Sequence, residues 1–530
     1  MTSKTLRQLL DGLADCRVLG DMAAPVAGVA YHSRDVVPGG LFVALKGHRT
    51  DGRLYVADSL ARGARVVVTE EELATPKGVT LVQVPQARLA LAHISAAFYD
   101  HPSRELTLVG ITGTNGKTST TYLLEAILGA AGCRVGVVGT VNYRVGSDTW
   151  PAPVTTPESL DLQRLLREMC DRGVSHVFLE VSSHALDLRR VDRAAFAAGV
   201  FTNLSQDHLD YHRDLDEYFA AKSRLFLEIL ANGCGTFGLA VLNLDDPRGL
   251  KLRDAVRGPT LTYGCHPESQ VRPLTHRFRQ DGLEALLTTP RGEVGIVSPL
   301  VGPFNLANIL AAGATALGLG LDLATIARGI AALKGVPGRL ERFGPPGGPG
   351  VFVDYAHTPA AITQALAALQ TLNFSRLITV FGCGGDRDRS KRPLMARAAA
   401  EKSQLVIVTS DNPRTEDPLA IIREIEPGLA ARGLPRLTEA AARQGEAGYL
   451  VVPDRREAIR LAVSLARPGE AVLVAGKGHE NYQIWGAERR HFDDREEVAR
   501  ALRENLFDSA ARSQVQLGNE FKTQNLKPGT

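Results

Sequence analysis

The sequence predicts an α/β protein of three domains followed by a disordered tail. Runs of β-branched and apolar residues alternate with helical patterns along most of the chain, as in parallel sheets covered by helices. A glycine-rich turn joins a strand pattern to a helix pattern near residue 110, and 530 residues exceed what one hydrophobic core accommodates. The predicted divisions are 1–104, 105–334, 335–507 and a polar, aperiodic tail at 508–530.

The bulk composition excludes several classes of protein. Hydrophobic residues make up 44% and charged residues 22% of the chain, which is ordinary for a globular protein. A net charge of +3 gives no electrostatic reason to expect a nucleic-acid or membrane partner. The six cysteines form no CxxC pair, which argues against structural zinc or a disulfide framework. With neither a membrane-length apolar run nor an apolar signal core, we expect a cytoplasmic protein.

The first predicted domain is a small α/β unit. Strand patterns occupy 41–45 and 64–70, and a helical pattern at 55–63 lies between them. A second helix is predicted over 88–100, and it leads into the glycine-rich turn.

The central domain begins with a predicted phosphate loop. Gly110, Gly113 and Gly116 follow a buried strand and precede a helix, so backbone N–H groups and the helix N-terminus can surround an anion. Lys117 would reach the β- and γ-phosphates of a nucleotide, and the Thr118 hydroxyl would bind Mg²⁺. The usual spacing places a glycine at position 111, which is isoleucine here, so this is a variant loop; the alternative is an ordinary glycine-rich turn.

The remaining elements continue both α/β domains. Central strands are predicted at 136–139, 176–181, 198–204 and 239–245, followed by an antiparallel appendage at 260–300 and two helices at 302–320 and 323–333. A segment rich in glycine and proline, 335–350, predicts a boundary or hinge. Strands of the third domain are predicted at 351–356, 377–385, 405–412, 449–454 and 471–478.

Polar side chains follow two central strands. Glu180 ends one strand, where a carboxylate could hold Mg²⁺ beside the phosphate loop, although an exposed acid is the alternative. After the next strand, His208 and His212 lie near two aspartates in a set that suits Mg²⁺, Mn²⁺ or proton transfer. From the residues alone, Lys222 is interpreted as a surface lysine on a helix.

Three loops of the third domain combine cationic, amide and acidic groups. They span 382–393, 410–418 and 476–480, and each follows a predicted strand. An arginine such as Arg414 can bind a carboxylate through two parallel hydrogen bonds, while Glu480 suits an ammonium group. The loops therefore predict an amino acid or another substrate that bears both charges, and three plain polar turns are the alternative.

Together these motifs resemble the Mur ligase family. The segments GTNGKT, EVSSHALDLRRV, FTNLSQDHLDYH, GPFNLANILAA, GVPGRLE, DYAHTP, GCGGDRD, DNPR and GKGHE occur in this order between about residues 28 and 497. The resemblance implies an N-terminal domain that binds UDP-MurNAc, a central P-loop ATPase domain with a parallel sheet, and a C-terminal Rossmann-like domain for the amino acid.

The resemblance also implies a reaction and its cofactors. ATP and Mg²⁺ would convert the D-glutamate carboxylate of UDP-N-acetylmuramoyl-L-alanyl-D-glutamate into an acyl phosphate, which the amine of meso-2,6-diaminopimelate then attacks. These small molecules are the expected partners, and we expect a monomer.

The roles implied by the resemblance fall into four groups. The ATP group comprises Gly113, Thr114, Asn115, Gly116, Lys117, Thr118, Ser119, Asn305, Asn308, Arg339, Asp354 and His357. The UDP-MurNAc-dipeptide group comprises Tyr31, Ser33, His48, Arg49, Thr50, Thr155, Thr156, Ser182 and Arg190. The diaminopimelate group comprises Arg387, Asp411, Asn412, Pro413, Arg414, Gly476 and Glu480. The catalytic and metal group comprises Lys117, Thr118, Glu180, His208 and Lys222, the last as an N-carboxylated lysine that supplies an anionic oxygen to a second Mg²⁺.

Three alternatives remain at this point. A lysine-adding ligase of the same family is disfavoured by the DNPR loop at 411–414, because lysine lacks the second carboxylate that Arg414 would bind. A folylpolyglutamate synthase would share the ATPase core. A non-catalytic nucleotide switch would need no amino-acid pocket and would form no amide.

Overall fold

The computed structural model describes residues 4–47, 50–74, 76–207, 211–232, 237–345 and 347–505. His48, Arg49, His208 and the predicted tail at 508–530 lie outside the described residues. The backbone forms two compact units, one containing 1–275, 286–296 and 307–332, the other containing 276–285, 297–306 and the chain from 333 onward. The three-domain boundaries predicted above stay a prediction, and each unit is described by itself.

The first unit contains a five-stranded N-terminal sheet. In spatial order its strands are Arg17–Leu19, Thr80–Gln83, Val66–Thr69, Leu41–Val43 and Val29–Ala30. The last four are parallel, and the first is antiparallel to its neighbour. Its helices are Leu6–Leu10, Val56–Ala61 and Ala87–Phe98, with 3₁₀ turns at Ser33–Asp35, Gly52–Tyr55 and Pro102–Arg104. Strand Lys4–Thr5 pairs separately with Pro25–Val26.

The same unit contains an eight-stranded central sheet. In spatial order its strands are Asp148–Trp150, Tyr143–Val145, Val135–Val138, His176–Glu180, Thr107–Thr112, Ala198–Phe201, Leu239–Asn243 and Thr260–Tyr263. The last six are parallel, while the first two form an antiparallel edge. The helices of this region are Lys117–Ala130, Ser159–Asp171, Ser183–Asp187, Leu215–Arg224, Pro247–Ala255 and Leu323–Ala332, together with helix Pro303–Gly318 from residue 307 onward.

The order of the central strands places the glycine-rich turn between two other strand ends. Thr107–Thr112 lies between His176–Glu180 and Ala198–Phe201, and all three run in the same direction. Leu108, Val109 and Ile111 are fully buried in the middle strand. Because carboxyl ends of parallel strands meet at one edge, the residues that follow these three strands lie together.

The second unit is built on a six-stranded sheet. In spatial order its strands are Glu341–Phe343, Gly350–Asp354, Ala471–Ala475, Leu377–Phe381, Leu405–Val408 and Gly448–Val451. All but the first are parallel. The helices include Pro359–Gln370, Lys391–Lys402, Pro418–Ala430, Glu439–Gln444, Arg455–Leu465 and a further one over 494–505, and a hairpin joins Tyr482–Trp485 to Glu488–His491.

The predicted α/β class with parallel sheets is confirmed, one local prediction is wrong, and the predicted boundary at 335–350 lies next to the division between the two units at residue 333. Residues 260–263 extend the central parallel sheet, so the three-stranded appendage contains only Arg272–Arg279, Gly282–Thr289 and Gly292–Ser298. The segment 335–350 is not only a connection, because Glu341–Phe343 pairs with Gly350–Asp354 at the sheet edge. No helix among the described residues is long and apolar enough to cross a bilayer.

Candidate active site

The phosphate loop has a backbone that only glycine can adopt at two positions. Gly113 has φ +148° and Gly116 has φ +89°. A Cβ atom would lie 1.9 Å from the Thr202 Oγ1 at the first position and 2.5 Å from the Asn308 Oδ1 at the second. Ile111 is buried inside the strand, so the departure from the usual spacing falls before the loop that would surround the phosphates.

The neighbouring strand end holds this loop in place. The Ser205 N–H donates to the Thr114 Oγ1 at 3.0 Å, and the Asn115 N–H donates to the Asn203 Oδ1 at 3.0 Å. Lys117 begins the helix, and its Nζ donates to the carbonyl oxygens of Gly113 and Thr114 at 2.8 and 2.9 Å. The ammonium group is therefore placed over the loop before any nucleotide is bound. The sequence prediction missed Asn203 and Ser205, although both lie within a motif that it used.

Glu180 is a buried carboxylate directly beside this loop. Its side chain is 1% exposed, so the alternative of an exposed strand-end acid is wrong. The Thr118 Oγ1 donates to its Oε2 at 3.1 Å, while the Thr140 N–H and Oγ1 donate to the two carboxylate oxygens at 3.0 Å each. Gly139 leaves room for the carboxylate, since a Cβ there would lie 2.3 Å from Glu180 Oε1. Thr140 is a third residue that the sequence prediction missed.

Lys222 is a buried amine on the other side of the loop. It is 1% exposed, which contradicts the surface position expected from the helix pattern alone. Its Nζ donates to the Gly113 carbonyl oxygen at 3.0 Å and lies 4.4 Å from the centre of the Tyr218 ring. Burial, together with the positive charge of Lys117, lowers the pKa of Lys222 well below its usual range, while Asp207 opposes this change.

One of the two predicted histidines can be placed. His208 lies outside the described residues. His212 is 2% exposed, and its Nε2 lies 3.0 Å from the Ser183 Oγ. Its ring also lies 5.8 Å from that of His184. His212 therefore belongs to a buried polar cluster behind the turn that follows Glu180.

Several residues predicted to bind the UDP-MurNAc-dipeptide gather near Glu180. Thr156 Oγ1 donates to the Glu180 carbonyl oxygen at 2.8 Å and accepts from the Ser182 N–H at 3.1 Å. Arg190 Nη1 donates to the Thr156 carbonyl oxygen at 3.1 Å, and Thr155 Oγ1 lies 3.1 Å from Thr140 Oγ1. Thr156 is thus connected to the Glu180 backbone, and Thr155 to Thr140, which itself donates to the Glu180 carboxylate.

The predicted contacts on the N-terminal sheet are more dispersed. Tyr31 donates its hydroxyl to Asp161 at 2.6 Å, which ties it to the central region. Ser33 lies in a short 3₁₀ turn, where its hydrogen bond lowers the pKa of Asp58. Thr50 Oγ1 donates to the Tyr55 hydroxyl at 3.3 Å.

In the second unit, three of the predicted ATP-side residues form a cluster. Asp354 accepts from the Leu340 N–H at 2.6 Å, and burial raises its pKa against the effect of Arg339. The Arg339 guanidinium lies 5.1 Å from the centre of the Tyr355 ring, and His357 Nδ1 lies 2.7 Å from the Tyr355 carbonyl oxygen.

Two other residues complete the description of this region. Asn305 Nδ2 donates to the Val301 carbonyl oxygen at 2.9 Å. The sequence prediction missed His479, whose ring lies 4.8 Å from that of Tyr355. Burial and the charges of Arg339 and Arg495 lower the pKa of His479 to about 3, so its imidazole is neutral at physiological pH.

The predicted amino-acid pocket contains a buried network of charges. Lys477 is completely buried, and its Nζ lies 3.2 Å from Glu480 Oε2 and 3.8 Å from Asp411 Oδ1. Asn412 connects the same groups, since its Nδ2 donates to Glu480 at 3.2 Å and its Oδ1 accepts from Lys477 at 3.3 Å. Gly476, with φ +121°, has no room for a Cβ, which would lie 2.9 Å from Asp411 Oδ2.

Arg414 is held in place by hydrogen bonds to two backbone carbonyl groups. It has a positive φ of 54°, and its N–H donates to the Ile484 carbonyl oxygen at 3.0 Å. Its Nη1 donates to the Gly385 carbonyl oxygen at 2.8 Å, and a Cβ at Gly385 would lie 1.9 Å from the Pro413 carbonyl oxygen. Arg387 is exposed and donates to the Asp386 carbonyl oxygen at 3.1 Å, so it lies at the margin of the site.

Two other arginines of the second unit have structural partners. Arg392, 1% exposed, pairs with Glu416 at 2.8 Å and Glu424 at 2.8 Å. Arg455 and Asp494 form a completely buried pair at 2.7 Å. No sequence signal distinguished Arg455 from a surface arginine, because its partner lies 39 residues away.

Comparison with protein families identifies all three regions. The Mur ligase family catalytic domain matches residues 25–99, the Mur ligase middle domain matches 111–316, and the Mur ligase glutamate ligase domain matches 338–478.

Individual proteins give the same result. UDP-N-acetylmuramoyl-L-alanyl-D-glutamate–2,6-diaminopimelate ligase of Geobacter metallireducens is 51% identical over 488 residues, covering 92% of this chain and 96% of that protein. The protein of the same name from Geobacter sulfurreducens is 48% identical, with coverages of 95% and 99%.

Solved structures also match. A structure of UDP-N-acetylmuramoyl-L-alanyl-D-glutamate–2,6-diaminopimelate ligase has a TM-score of 0.70 at 31% identity, with coverages of 95% of this chain and 99% of that chain. Mycobacterium tuberculosis folylpolyglutamate synthase, complexed with ADP and AMPPCP, has a TM-score of 0.57 at 20% identity and covers 74% of this chain and 93% of its own, which shows a shared fold alone. The chain belongs to the Mur ligase family.

Proposed function

We propose that this chain catalyses the ATP-dependent addition of meso-2,6-diaminopimelate to UDP-N-acetylmuramoyl-L-alanyl-D-glutamate. The observation that carries the proposal is the edge of the central sheet, where Lys117, the Thr118–Glu180 pair and the buried amine of Lys222 surround one glycine loop. Relatives that carry the name of this activity match nearly their whole length, which supports the same assignment.

The residues at this edge fit a nucleotide and Mg²⁺. The Thr118 hydroxyl and the Glu180 carboxylate are hard oxygen donors 3.1 Å apart, as Mg²⁺ requires. No group of three or more His, Cys, Asp or Glu side chains among the described residues could hold a metal by itself. Mg²⁺ usually keeps few protein ligands and completes its shell with phosphate oxygens and water, so this donor set suits it. Bound Mg²⁺ would supply positive charge that neutralises the transferring phosphoryl group.

The chain's own groups prepare the first step, the transfer of the γ-phosphoryl group of ATP to the D-glutamate carboxylate. Lys117 would exchange its carbonyl partners at Gly113 and Thr114 for phosphate oxygens and stabilise their growing charge. The N–H groups at the start of helix Lys117–Ala130 add partial positive charge in the same place. ADP leaves, and the acyl phosphate that remains is an activated carboxyl group.

Lys222 has the properties needed for N-carboxylation. Only an uncharged amine attacks CO₂, and its buried position beside Lys117 favours the uncharged form. The product carbamate retains one N–H, which can still donate to the Gly113 carbonyl oxygen, while its new oxygens carry a negative charge. We therefore propose that Lys222, as a carbamate, adds an anionic ligand for a second Mg²⁺, and we retain His208 as a proposed metal-associated residue.

The substrate groups surround the reacting carboxylate from two directions. Arg190 and Ser182 contact Thr156, which itself contacts the Glu180 backbone, so a dipeptide bound there would present its carboxylate near the metal. Tyr31, Ser33 and Thr50, with His48 and Arg49, are proposed to hold the UDP-MurNAc end. Asn305, Asn308, Arg339, Asp354 and His357 are proposed to contact the rest of ATP.

The C-terminal network fits the incoming amino acid. Arg414 makes no ion pair within the described parts of the chain, so its guanidinium can bind the distal carboxylate of diaminopimelate through two hydrogen bonds. Lysine lacks this carboxylate and would leave the guanidinium unpaired, which is a large penalty in a desolvated site. Asn412 and Glu480 are proposed to orient the amino–carboxyl centre, and Arg387, Asp411, Pro413 and Gly476 complete the pocket. The attacking amine forms the amide as phosphate departs.

We place this reaction in the cytoplasm and expect a monomer to perform it. The five cysteines among the described residues are unpaired, as in proteins of reducing compartments. The nucleotide-linked substrate and ATP belong to the same compartment in the proposed precursor synthesis.

One assay tests the proposed function. Purified chain is incubated with ATP, Mg²⁺ and UDP-N-acetylmuramoyl-L-alanyl-D-glutamate, with either meso-2,6-diaminopimelate or L-lysine, and phosphate and the coupled peptide are measured. We expect stoichiometric phosphate and UDP-MurNAc-tripeptide with diaminopimelate, and at least 100-fold lower kcat/KM with lysine. Preference for lysine, or ATP hydrolysis without an amide product, would contradict the proposal.

Isotopic labelling tests the acyl-phosphate step separately. If the D-glutamate side-chain carboxylate is labelled with ¹⁸O, one labelled oxygen should appear in the released phosphate, because the amine displaces phosphate together with the carboxylate oxygen that bonded phosphorus. Unlabelled phosphate would instead indicate attack by water on ATP.

A further inference from the structure

A cavity of about 470 Å³ lies in the first unit, away from the phosphate loop. Four arginines line it, Arg104, Arg189, Arg193 and Arg224, together with the carboxylates Asp192 and Glu228. Two apolar side chains, Leu89 and Ile229, also line the cavity. The lining therefore contains two more positive than negative groups.

The position of the cavity separates it from the proposed reaction site. Arg104 lies three residues before strand Thr107–Thr112, and Arg193 lies five residues before strand Ala198–Phe201. The cavity is thus at the amino-terminal ends of strands whose carboxyl ends carry the phosphate loop. With a rise of about 3.3 Å per residue, a six-residue strand separates the two edges by roughly 20 Å.

Two of the arginines are held in place by one buried carboxylate. Asp192 accepts from Arg189 at 2.9 Å and from Arg224 at 3.2 Å, and its side chain is 9% exposed. Arg224 also donates to the Leu186 carbonyl oxygen and pairs with Glu228 at 2.9 Å. These guanidinium groups are therefore fixed before any ligand arrives, which lowers the entropic cost of binding.

The other two arginines leave positive charge uncompensated. Within the parts of the chain that the structure describes, Arg104 and Arg193 make no ion pair with a carboxylate. Arg193 also has a positive φ of 65°, an uncommon conformation for a residue other than glycine. Burial and then the charge of Arg193 lower the pKa of the neighbouring His93, which is consistent with a positive field in this region.

We infer that this arginine-lined cavity is a binding site for a small phosphate-bearing anion, separate from the ATP site. Arginine forks match the geometry of phosphate oxygens, and two fixed and two uncompensated guanidinium groups suit a ligand with at least two negative charges. A volume of about 470 Å³ is within the usual range for small-molecule sites. Leu89 and Ile229 can contact a small organic body attached to the phosphate.

Calorimetric titration of the full chain with inorganic pyrophosphate tests this inference. The phosphate loop is first saturated with ADP in the absence of Mg²⁺, so that pyrophosphate cannot report on that loop. We expect one remaining binding event, and we expect the Arg104→Ala/Arg193→Ala variant to weaken it at least tenfold. Both side chains are exposed, so their removal should leave the fold intact.

A matched variant controls for the change in net charge. Arg432→Ala/Arg436→Ala removes two exposed arginines of the second unit and should leave pyrophosphate affinity within twofold of the wild type. Glycerol 1-phosphate is titrated in parallel; its binding with the same dependence on Arg104 and Arg193 would identify an organic phosphate as the ligand, and binding of pyrophosphate alone would identify an inorganic one. No binding of either compound beside ADP, or equal loss in both variants, would overturn the inference. Amide synthesis by the wild type would be unaffected by that outcome.

Discussion

Two buried lysines of this chain lie in opposite electrostatic surroundings. Lys477, in the C-terminal unit, is completely buried and lies within 3.2 Å of Glu480 and 3.8 Å of Asp411. Lys222, in the first unit, is 1% exposed and donates to a backbone carbonyl oxygen, and no carboxylate among the described residues lies within ion-pair distance of its Nζ. Two carboxylates surround the first amine, whereas burial and the charge of Lys117 drive the second towards the uncharged form.

The difference corresponds to the chemistry proposed for each region. A site for an amino acid needs fixed charges of both signs, and a buried lysine paired with carboxylates provides part of that arrangement without reacting. A site for phosphoryl transfer needs excess positive charge around the phosphates, and a buried amine beside Lys117 is pushed to lose its proton. The surroundings of a lysine, rather than its burial, therefore separate a structural role from a reactive one.

The largest expected effect is on turnover and tests Lys117, whose positive charge lowers the pKa of Lys222. Lys117→Ala should reduce kcat about 10³-fold or more, because it removes a cation from the transferring phosphoryl group. It should also remove the charge that repels a proton from Lys222, so the pKa of Lys222 should rise. Steady-state phosphate release measures the first effect, and circular dichroism shows whether the fold is retained. Near-normal turnover would remove Lys117 from the mechanism.

The second effect is on stability and tests Lys477, the lysine that is paired with carboxylates. Lys477→Met should lower the free energy of unfolding by about 3–5 kcal/mol, since it leaves the partly buried carboxylate of Glu480 without its buried cation. Chemical denaturation of the wild type and variant measures the difference. The double variant Lys477→Met/Glu480→Gln is the matched control and should recover part of the loss, because the stranded charge is gone. A single variant as stable as the wild type would show that the pair contributes no stability.

The third effect is on substrate choice. Arg414→Ala should cost about 2–5 kcal/mol in kcat/KM for diaminopimelate, because the distal carboxylate loses its partner. This corresponds to roughly a 30-fold to 5,000-fold decrease, with little change in the KM for ATP. Arg414→Lys keeps the charge but cannot form two parallel hydrogen bonds, so it should recover only part of the activity. Equal losses for ATP and diaminopimelate would contradict the assignment of this pocket.

The smallest effect concerns the pH dependence of stability at Lys222. Its pKa is lowered in the folded chain, so between that value and about 10.4 the unfolded chain binds one more proton. Wild-type stability therefore rises with pH across this range. In CO₂-free buffer, Lys222→Met should be at least as stable as the wild type at neutral pH, and its advantage should shrink towards pH 10. A constant difference, measured by urea unfolding at several pH values, would show that Lys222 is not buried with a lowered pKa.

Sequence patterns predicted the central strands of the sheets well and the strands at the sheet edges poorly. Val66–Thr69 and Leu405–Val408 are strands because every side chain is apolar or β-branched and buried, which a sequence shows directly. Strand Thr260–Tyr263 was assigned to the wrong sheet, since four residues with one tyrosine carry no information about their neighbours. The pairing of Glu341–Phe343 was hidden by the surrounding glycines and prolines.

The residues of the candidate site also fall into some that the sequence predicted and some that it missed. Lys117 and Thr118 were predicted from local spacing, because a strand, a loop and a helix in sequence determine where they lie, and Glu180 was predicted from its position at the end of a strand. Thr140 and Asn203 were missed, since each contacts the site only through the order of strands in the sheet. Family resemblance, rather than the helix pattern, singled out Lys222, whose burial depends on the packing of helix Leu215–Arg224. His208 lies outside the described residues, so its role stays a prediction.

The contrast between the two lysines can be measured directly by ¹³C NMR of the full chain equilibrated with ¹³C-labelled bicarbonate. We predict a carbamate resonance in the wild type that persists in Lys477→Met and disappears in Lys222→Met. A spectrum without a carbamate resonance, or one whose resonance survives in Lys222→Met, would contradict the claim that the uncompensated amine beside the phosphate loop is the reactive one.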